Sequence, residues 1–289
     1  MAKRGKRLNR SRGGDIVMFC ILAFFACFMA LPMIFAIGSS FKPWSELFTF
    51  PPTLLPRRWT LNNYIDLFQV MSSSWVPFTR YFFNTVFITV IGTAGHIIVS
   101  SLCAYPLALY RFPGSKFMLA VVRLALMFNP TVLAIPTYFI LSSMKLVDTY
   151  WAILFPAFGG ALGLYLMSSF MGQIPTSIVE AARIDGAGHW RVFRTIVMPQ
   201  VKSAWLTLII FQVQALWNMG VGSTNTGNVV YSEQLKTITA VLQNITQGGI
   251  ARQGIGAAIT VLMLSVPIAV FIITQSNIIE TMATSGLKD

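Results

Sequence analysis

Six apolar blocks, each about long enough to cross a lipid bilayer as a helix, set the limits on what this chain can fold into. They run at about 16–40, 80–109, 117–141, 149–171, 202–219 and 252–276 of the 289 residues. A crossing helix needs roughly 20 predominantly apolar residues. No water reaches the hydrocarbon core, so every backbone N–H and C=O there must find its partner inside the protein. Helices meet that demand segment by segment, and the expected fold is all-α: a polytopic membrane protein with six transmembrane helices. Only 10% of the residues are charged, against about 25% in soluble domains. Prolines 32, 106, 130, 136, 156 and 267 fall inside the blocks, where neighbouring helices can satisfy the carbonyls they free. Kinks are expected at Asn129-Pro130 and Pro136.

The net charge of +12 would suit nucleic acid, but its placement points to a membrane surface. Six of the 21 Lys and Arg residues lie in MAKRGKRLNRSR, directly ahead of the first block. That juxtamembrane pattern sets orientation and attracts anionic lipid. Counted by loop, thirteen basic residues share the side of the N-terminus and six lie opposite, leaving out Arg123 and Arg252. The expected topology is therefore N-terminus and C-terminus cytoplasmic, with the lipid bilayer and no nucleic acid as partner. The first block is too long for the apolar region of a signal peptide and reads as a retained anchor. Cys20, Cys27 and Cys103 sit inside apolar blocks, without CxxC spacing, and read as small fillers. With only His96 and His189 present, far apart, no metal site is expected.

This divides the chain into a basic cytoplasmic N-terminus (1–15), a first helix with an extracytoplasmic interfacial segment (16–79), a transmembrane core (80–276) and a short cytoplasmic tail (277–289). The segment FKPWSELFTFPPTLLPRRWTLNNYIDLF, rich in Pro, Trp and Tyr, suits the headgroup level. Residues 220–250, rich in Gly, Ser, Thr and Asn, read as a flexible outer loop.

One polar island interrupts the pattern: SIVEAARIDGAGHWRVFRTIVMP, residues 177–199. It lies in a connector, 172–201, far longer than two adjacent spans need, and long loops with helices of their own are usually functional. Ser177 and Glu180 form a capping-box pattern, and Gly186 suits a left-handed C′ position. A second helix over about 188–197 would place Trp190, Phe193 and Val197 on one face. Pro199 would then open the next span. Ala181 and Ala182 permit close approach of another surface, while Glu180 and Asp185 offer charge to a cationic partner. The alternative is a plain solvated face; the length of the connector favours a docking element.

EAARIDGAGHWRVFRTIVMP resembles the EAA motif of permease subunits in binding-protein-dependent ABC importers, position by position from Glu180 to Pro199. Similarity continues through LVDTYWAILFPAFGGALGLYLMSSFMGQIP and QSNIIETMATSGLKD, covering roughly 80–289. Within that group it resembles the maltose-type carbohydrate permeases, as the second, six-span subunit of a pair. The resemblance implies a type I ABC importer permease fold in a bacterial cell membrane. It implies a second permease, two cytoplasmic ATPase subunits, an extracytoplasmic binding protein and a sugar or oligosaccharide substrate. It makes 172–201 the coupling loop: Glu180 pairs with a basic residue of the ATPase, and Ala181 and Ala182 pack at the contact. Asp185, Gly186 and Ala187 shape the turn, and Phe193, Ile196 and Pro199 anchor the loop. The chain has no GxxxxGK[ST] sequence, so ATP and Mg are expected on the partner ATPase and neither cofactor nor catalytic residue in this chain.

For the substrate path, polar residues within spans are costly and tend to face a cavity or a partner helix. Gln212, Gln214, Trp217 and Asn218 lie in the fifth block, with Gln214, Trp217 and Asn218 at i, i+3 and i+4. Amides beside an aromatic ring suit a sugar; hydrogen bonding to the other permease is the competing use. Asn84 and Asn129 are similar but more isolated, and His96 reads as packing. The outer loop after WNMGVGSTNTGN departs from the commoner pattern, in which an apolar continuation follows the WN pair. A permease for a polyamine, phosphonate or peptide is the alternative. An ATPase-independent secondary transporter would call for ionisable residues deep in the spans or inverted repeats.

Overall fold

A computed structural model describes residues 12–72, 76–110, 112–128, 130–220, 229–246 and 252–285. Among these residues every regular element is helical. The α-helices are α1 (Arg12–Ser40), α2 (Trp44–Leu47), α3 (Asn62–Ser72), α4 (Phe78–Leu109), α5 (Ser115–Ala125), α6 (Pro130–Ser143) and α7 (Trp151–Phe158). They continue as α8 (Ala161–Met171), α9 (Thr176–Ile184), α10 (His189–Val192), α11 (Met198–Gln200), α12 (Lys202–Trp217), α13 (Ile238–Thr246) and α14 (Gln253–Ser285). A π-helical turn fills Phe193–Val197 and a 3₁₀ turn Glu233–Leu235.

Four helical stretches are long and apolar enough to cross a membrane: Gly13–Ser40, Phe78–Leu109, Trp151–Met171 and Gln253–Gln275. A fifth crossing arises if His189–Gln200 and Lys202–Trp217, bent by 75°, act as one. The expected third span, 117–141, is divided. Proline disfavours helical geometry in the residue before it, and the helix stops at Ala125, resuming at Pro130. Pro136, also expected to kink, is absorbed inside α6. Asn129 lies outside the described residues, as does the basic stretch 1–11. The last helix runs to Ser285, beyond the expected end of the sixth span.

The chain divides into two compact units, residues 1–70 with 249–261 and residues 71–248 with 262–289. In the first, α1 is exposed along its apolar length. The segment after it folds on itself: the Asn63 amide donates to the carbonyls of Ser40 (2.9 Å) and Lys42 (2.8 Å), and the Tyr64 hydroxyl to Ser40 Oγ (3.0 Å). Lys42 is buried, its ammonium donating to the Thr53 carbonyl and lying 5.1 Å from the Phe35 ring centroid. Trp44, Phe48, Phe50 and Trp59 remain exposed around this knot.

In the second unit α4 is the hub, packed against α7, α8 and α12. At one end Ile88, Ile153, Leu216 and Val230 form a small core. At the other, Ala104, Tyr105, Met167, Met171, Val192, Phe193, Val197, Val201 and Ala204 belong to a larger cluster. The span built from α7 and α8 is broken at Gly159-Gly160. Within a bilayer the carbonyls freed by a break need replacement donors. His96, the packing residue of the sequence reading, places Nδ1 2.9 Å from the Ala157 carbonyl, and Gln212 Nε2 donates to the same oxygen at 3.4 Å. The ring of His96 rests on Gly160 and Gly163, where no side chain fits. The three cysteines, expected as fillers, lie on exposed faces of α1 and α4.

Part of the outer loop is more ordered than its composition suggests. Residues 221–228 and 247–251 lie outside the described region, but Ile238–Thr246 is a helix with Ile238, Ala240, Leu242 and Ile245 buried. It is tied to α4 by Asn84, whose amide donates to the carbonyls of Gln234 (2.8 Å) and Lys236 (3.0 Å) while its oxygen accepts from Tyr150 (2.6 Å). Thr85 Oγ1 accepts from the Ile238 N–H at 2.9 Å, and Asp148 Oδ1 from the N–H groups of Tyr231 and Ser232. Replacing Asn84 by Ala removes three part-buried hydrogen bonds, at about 1 kcal/mol each. We expect Asn84→Ala to lower the thermal unfolding midpoint and to open 229–237 to limited proteolysis. An unchanged midpoint would show that the clamp carries no stability.

A candidate docking loop and a polar helix face

The loop between the fourth and fifth spans is built as a bracket of short helices joined by turns. The helix α9 begins at Thr176 with Pro175 at its N-cap and no side-chain cap. The expected Ser177–Glu180 capping box is therefore not formed: the N-cap is Pro175, two residues before Ser177, which lies on the exposed face. The C-terminus follows expectation. Gly186 takes φ +80°, the Gly186 N–H donates to the Arg183 carbonyl and the Ala187 N–H to the Ala182 carbonyl, both at 3.0 Å. This is the Schellman arrangement, in which a left-handed residue returns the last N–H groups to the helix. Asp185 is the C-cap, its N–H donating to the Ala181 carbonyl at 3.0 Å.

With period 3.6, Ser177, Glu180, Ala181 and Ile184 share one side of α9, and all four are exposed. Val179 is buried on the other side, and Ala182 and Ala187 are half-buried against the core that holds Met171, Val192 and Phe193. Ile184 is 87% and Trp190 63% exposed, an unusual cost for large apolar side chains. The sequence reading passed over Ile184; its signal was an isoleucine four residues after Glu180, on the face opposite Val179. Trp190 was assigned to the face of Phe193 and Val197. Trp190 does pack against Phe193, with ring centroids 5.4 Å apart, but from the solvent side in the first turn of α10, whereas Val192, Phe193, Val197 and Val201 are buried; the π-turn at Phe193–Val197 takes up an extra residue between Val192 and Val201. Ile196 is half-buried and Pro199 exposed. Pro199 lies in the helical turn before the 75° bend, and α12 starts three residues after it.

A cluster of polar side chains spans the bracket and the end of α4. Tyr105 and Tyr110 hydroxyls are 2.8 Å apart, and the Tyr110 hydroxyl is 2.9 Å from His189 Nδ1. The Arg183 guanidinium lies 2.9 and 3.1 Å from the two ring nitrogens of His189, 3.3 Å from the Tyr110 hydroxyl, and 5.0 Å from the Tyr110 ring centroid.

On α12 the expected path residues separate. Trp217 is buried and its indole N–H donates to the Met263 carbonyl at 3.1 Å. Gln212 is half-buried and turned to Ala157, and Asn84 is buried under the outer loop. Gln214 and Asn218 alone face outward, and Phe211, three and seven residues before them, shares that face at 47% exposure. Asn218 Nδ2 donates to the Gln214 carbonyl at 2.9 Å. Among the described residues no group of three or more His, Cys, Asp or Glu side chains is arranged to hold a metal ion.

The model of the family described as binding-protein-dependent transport system inner membrane component matches residues 96–280, which takes in α8, the whole bracket, α12 and most of α14. The chain belongs to this family. It is thus a multi-pass membrane component of a binding-protein-dependent transporter, an ABC importer permease and not itself an enzyme. It is 31% identical over 219 residues to the Bacillus subtilis polygalacturonan/rhamnogalacturonan transport system permease protein YtcP, covering 72% of this chain and 71% of the relative. It is 26% identical over 275 residues to the Bacillus subtilis galactooligosaccharides transport system permease protein GanQ, covering 93% and 94%. A chain in the crystal structure of a bacterial ABC transporter involved in the import of the acidic polysaccharide alginate superposes with a TM-score of 0.75 at 22% identity, over 93% of this chain and 98% of that one. The helical permease fold expected from the motif is the fold observed.

Proposed function

We propose that this chain is one of two permeases forming the pathway of an importer for sugars or oligosaccharides. Its partners are a second permease, an extracytoplasmic binding protein and two cytoplasmic ATPase subunits that bind ATP and Mg. The N- and C-termini face the cytoplasm, which puts the 172–201 bracket on the ATPase side. The observation that carries the coupling role is the exposed face of α9, with a carboxylate at Glu180, a small surface at Ala181 and an apolar knob at Ile184, ahead of a hydrogen-bonded glycine turn. An exposed Ile beside a small residue and a charge is what a docking surface needs: an apolar anchor that loses water on contact and a charge that fixes register. Asp185, Gly186 and Ala187 hold the turn. Phe193 and Ile196 seat the bracket in the bundle, and Pro199 ends its last helix.

The path reading keeps Gln214 and Asn218 and takes Phe211 as its aromatic ring in place of Trp217, whose N–H is spent on Met263. Two amides are expensive against lipid, and with a ring face beside them they match the hydroxyls and flat C–H faces of a pyranose. Asn84 and Gln212 leave this set because their amides serve the outer loop and the break at Ala157. The relatives named for galactooligosaccharides and polygalacturonan support a saccharide cargo over a polyamine, phosphonate or peptide. The test is uptake by the whole importer in proteoliposomes across a panel of neutral and uronate oligosaccharides. Phe211→Ala should cut uptake about fivefold to tenfold, the worth of about 1 kcal/mol or more of ring contact, and Asn218→Ala should reorder preference within the panel. Uptake unchanged in both variants would return this face to helix packing.

A further inference from the structure

We infer that Tyr105, Tyr110, Arg183 and His189 form a strut that makes α9 move as one body with the cytoplasmic end of α4. The inference rests on the coupling role proposed for α9. A coupling helix transmits force only if something other than its flanking chain holds it, and the chain here is jointed. The left-handed turn at Gly186 is the first joint, and the π-turn and 75° bend follow it. The strut bypasses these joints. Tyr105 sits in the last turn of α4 and Tyr110 is its C-cap, whereas Arg183 is in the last turn of α9 and His189 opens α10.

The donors and acceptors form a connected chain. A His189 ring protonated on Nε2 accepts at Nδ1 from the Tyr110 hydroxyl, whose oxygen accepts from Tyr105 and from Arg183. Arg183 also lies over the Tyr110 ring, where a guanidinium is attracted to the π face. Rings brace the same link: Tyr105 packs edge-on to Phe193 at 5.3 Å, and Tyr110 to His189 at 5.5 Å. None of these four side chains is on the Ser177–Glu180–Ala181–Ile184 face, so the strut leaves the docking surface free. They are positioning residues.

The test uses the whole importer in nanodiscs, with Cys20 and Cys27 replaced by Ser and spin labels on Cys103 of α4 and on Thr176→Cys of α9. The separation of the labels is measured before and after trapping with ATP and vanadate, which requires no cargo. With the strut intact the separation stays narrow and unchanged on trapping. Tyr110→Phe keeps the ring but removes the hydroxyl, and His189→Ala removes the acceptor. Each should shift the closed-to-open ratio of the link by about fivefold per bond lost, read as a broadened distribution and fewer sugars moved per ATP at a retained ATPase rate. His189→Asn, which restores an acceptor near the position of Nδ1, should narrow it again, and Arg194→Ala should leave it unchanged. A distribution as narrow in Tyr110→Phe and His189→Ala as in the parent would overturn the strut. Glu180→Lys in the same background separates the two ideas. If it keeps full uptake the coupling role fails, whereas loss of uptake with narrow distances in the strut variants fails the strut alone.

Discussion

Glu180→Lys is expected to leave the importer assembled in the membrane while abolishing uptake, with ATP hydrolysis continuing unproductively. Glu180 is exposed on α9 beside Ala181 and one turn from Ile184, and it makes no hydrogen bond or ion pair within the described residues, so reversing its charge costs the fold little. Across an interface the same change leaves a cation facing a cation. Breaking one partner of a desolvated charge pair costs about 2–5 kcal/mol, which is tenfold for every 1.4 kcal/mol in a docking equilibrium. Glu180→Gln, neutral and nearly the same shape, should fall between the two. The measurement is solute taken up per ATP hydrolysed in proteoliposomes, alongside co-purification of the ATPase. Undiminished uptake by Glu180→Lys would remove α9 from the coupling role.

Gly163→Ala should damage the bundle out of proportion to one methyl group. A β-carbon at 163 would overlap His96 Nε2 and lie 2.6 Å from Ser100 Oγ. The ring cannot slide away freely, because its Nδ1 is held 2.9 Å from the Ala157 carbonyl. Overpacking of this kind costs about 1–3 kcal/mol, and loss of the His96 bond would add to it by uncapping the break at Gly159-Gly160. Gly188→Ala is the matched control, since a β-carbon there meets nothing within 4 Å and φ is −67°. Thermal unfolding in detergent should show a lower midpoint for Gly163→Ala alone. The double variant His96→Ala/Gly163→Ala should recover part of the loss, and equal midpoints for Gly163→Ala and Gly188→Ala would contradict the close fit.

The blocks that read clearly from sequence were those whose signal is length and composition. The helices at 78–109, 151–171 and 253–275 fall within a few residues of expectation, because desolvation of the backbone leaves a long apolar segment few alternatives. The Gly186 turn was equally legible, since a glycine after a short amphipathic helix needs no tertiary contact to be informative. The division of the third span ahead of Pro130 was also marked, by the Asn129-Pro130 pair. The misreadings came from tertiary context: Trp217 found a carbonyl on α14 that no local pattern reveals. His96 read as packing and is buried, but the partners of its ring and of the Gln212 and Asn84 amides were not legible, because an amide or imidazole in a span has several uses. Which use applies depends on a break or a loop that packs dozens of positions away. Trp190 keeps its expected contact with Phe193 but stays outside the core, because it stands in the first turn of α10 at the edge of the packed cluster.

The π-turn fixes the bearing of everything before it. An α-helix advances about 100° per residue, so the one residue taken up at Phe193–Val197 acts as an angular offset between the membrane bundle and the bracket. With one residue removed, Val197 and Val201 could stay in the core only if Val192 and the Glu180–Ile184 face ahead of it were swung by about a quarter-turn or more from their present heading. Chain length in this short stretch therefore works as an aiming setting, and loops of this kind should tolerate substitution far better than the loss or gain of a single residue.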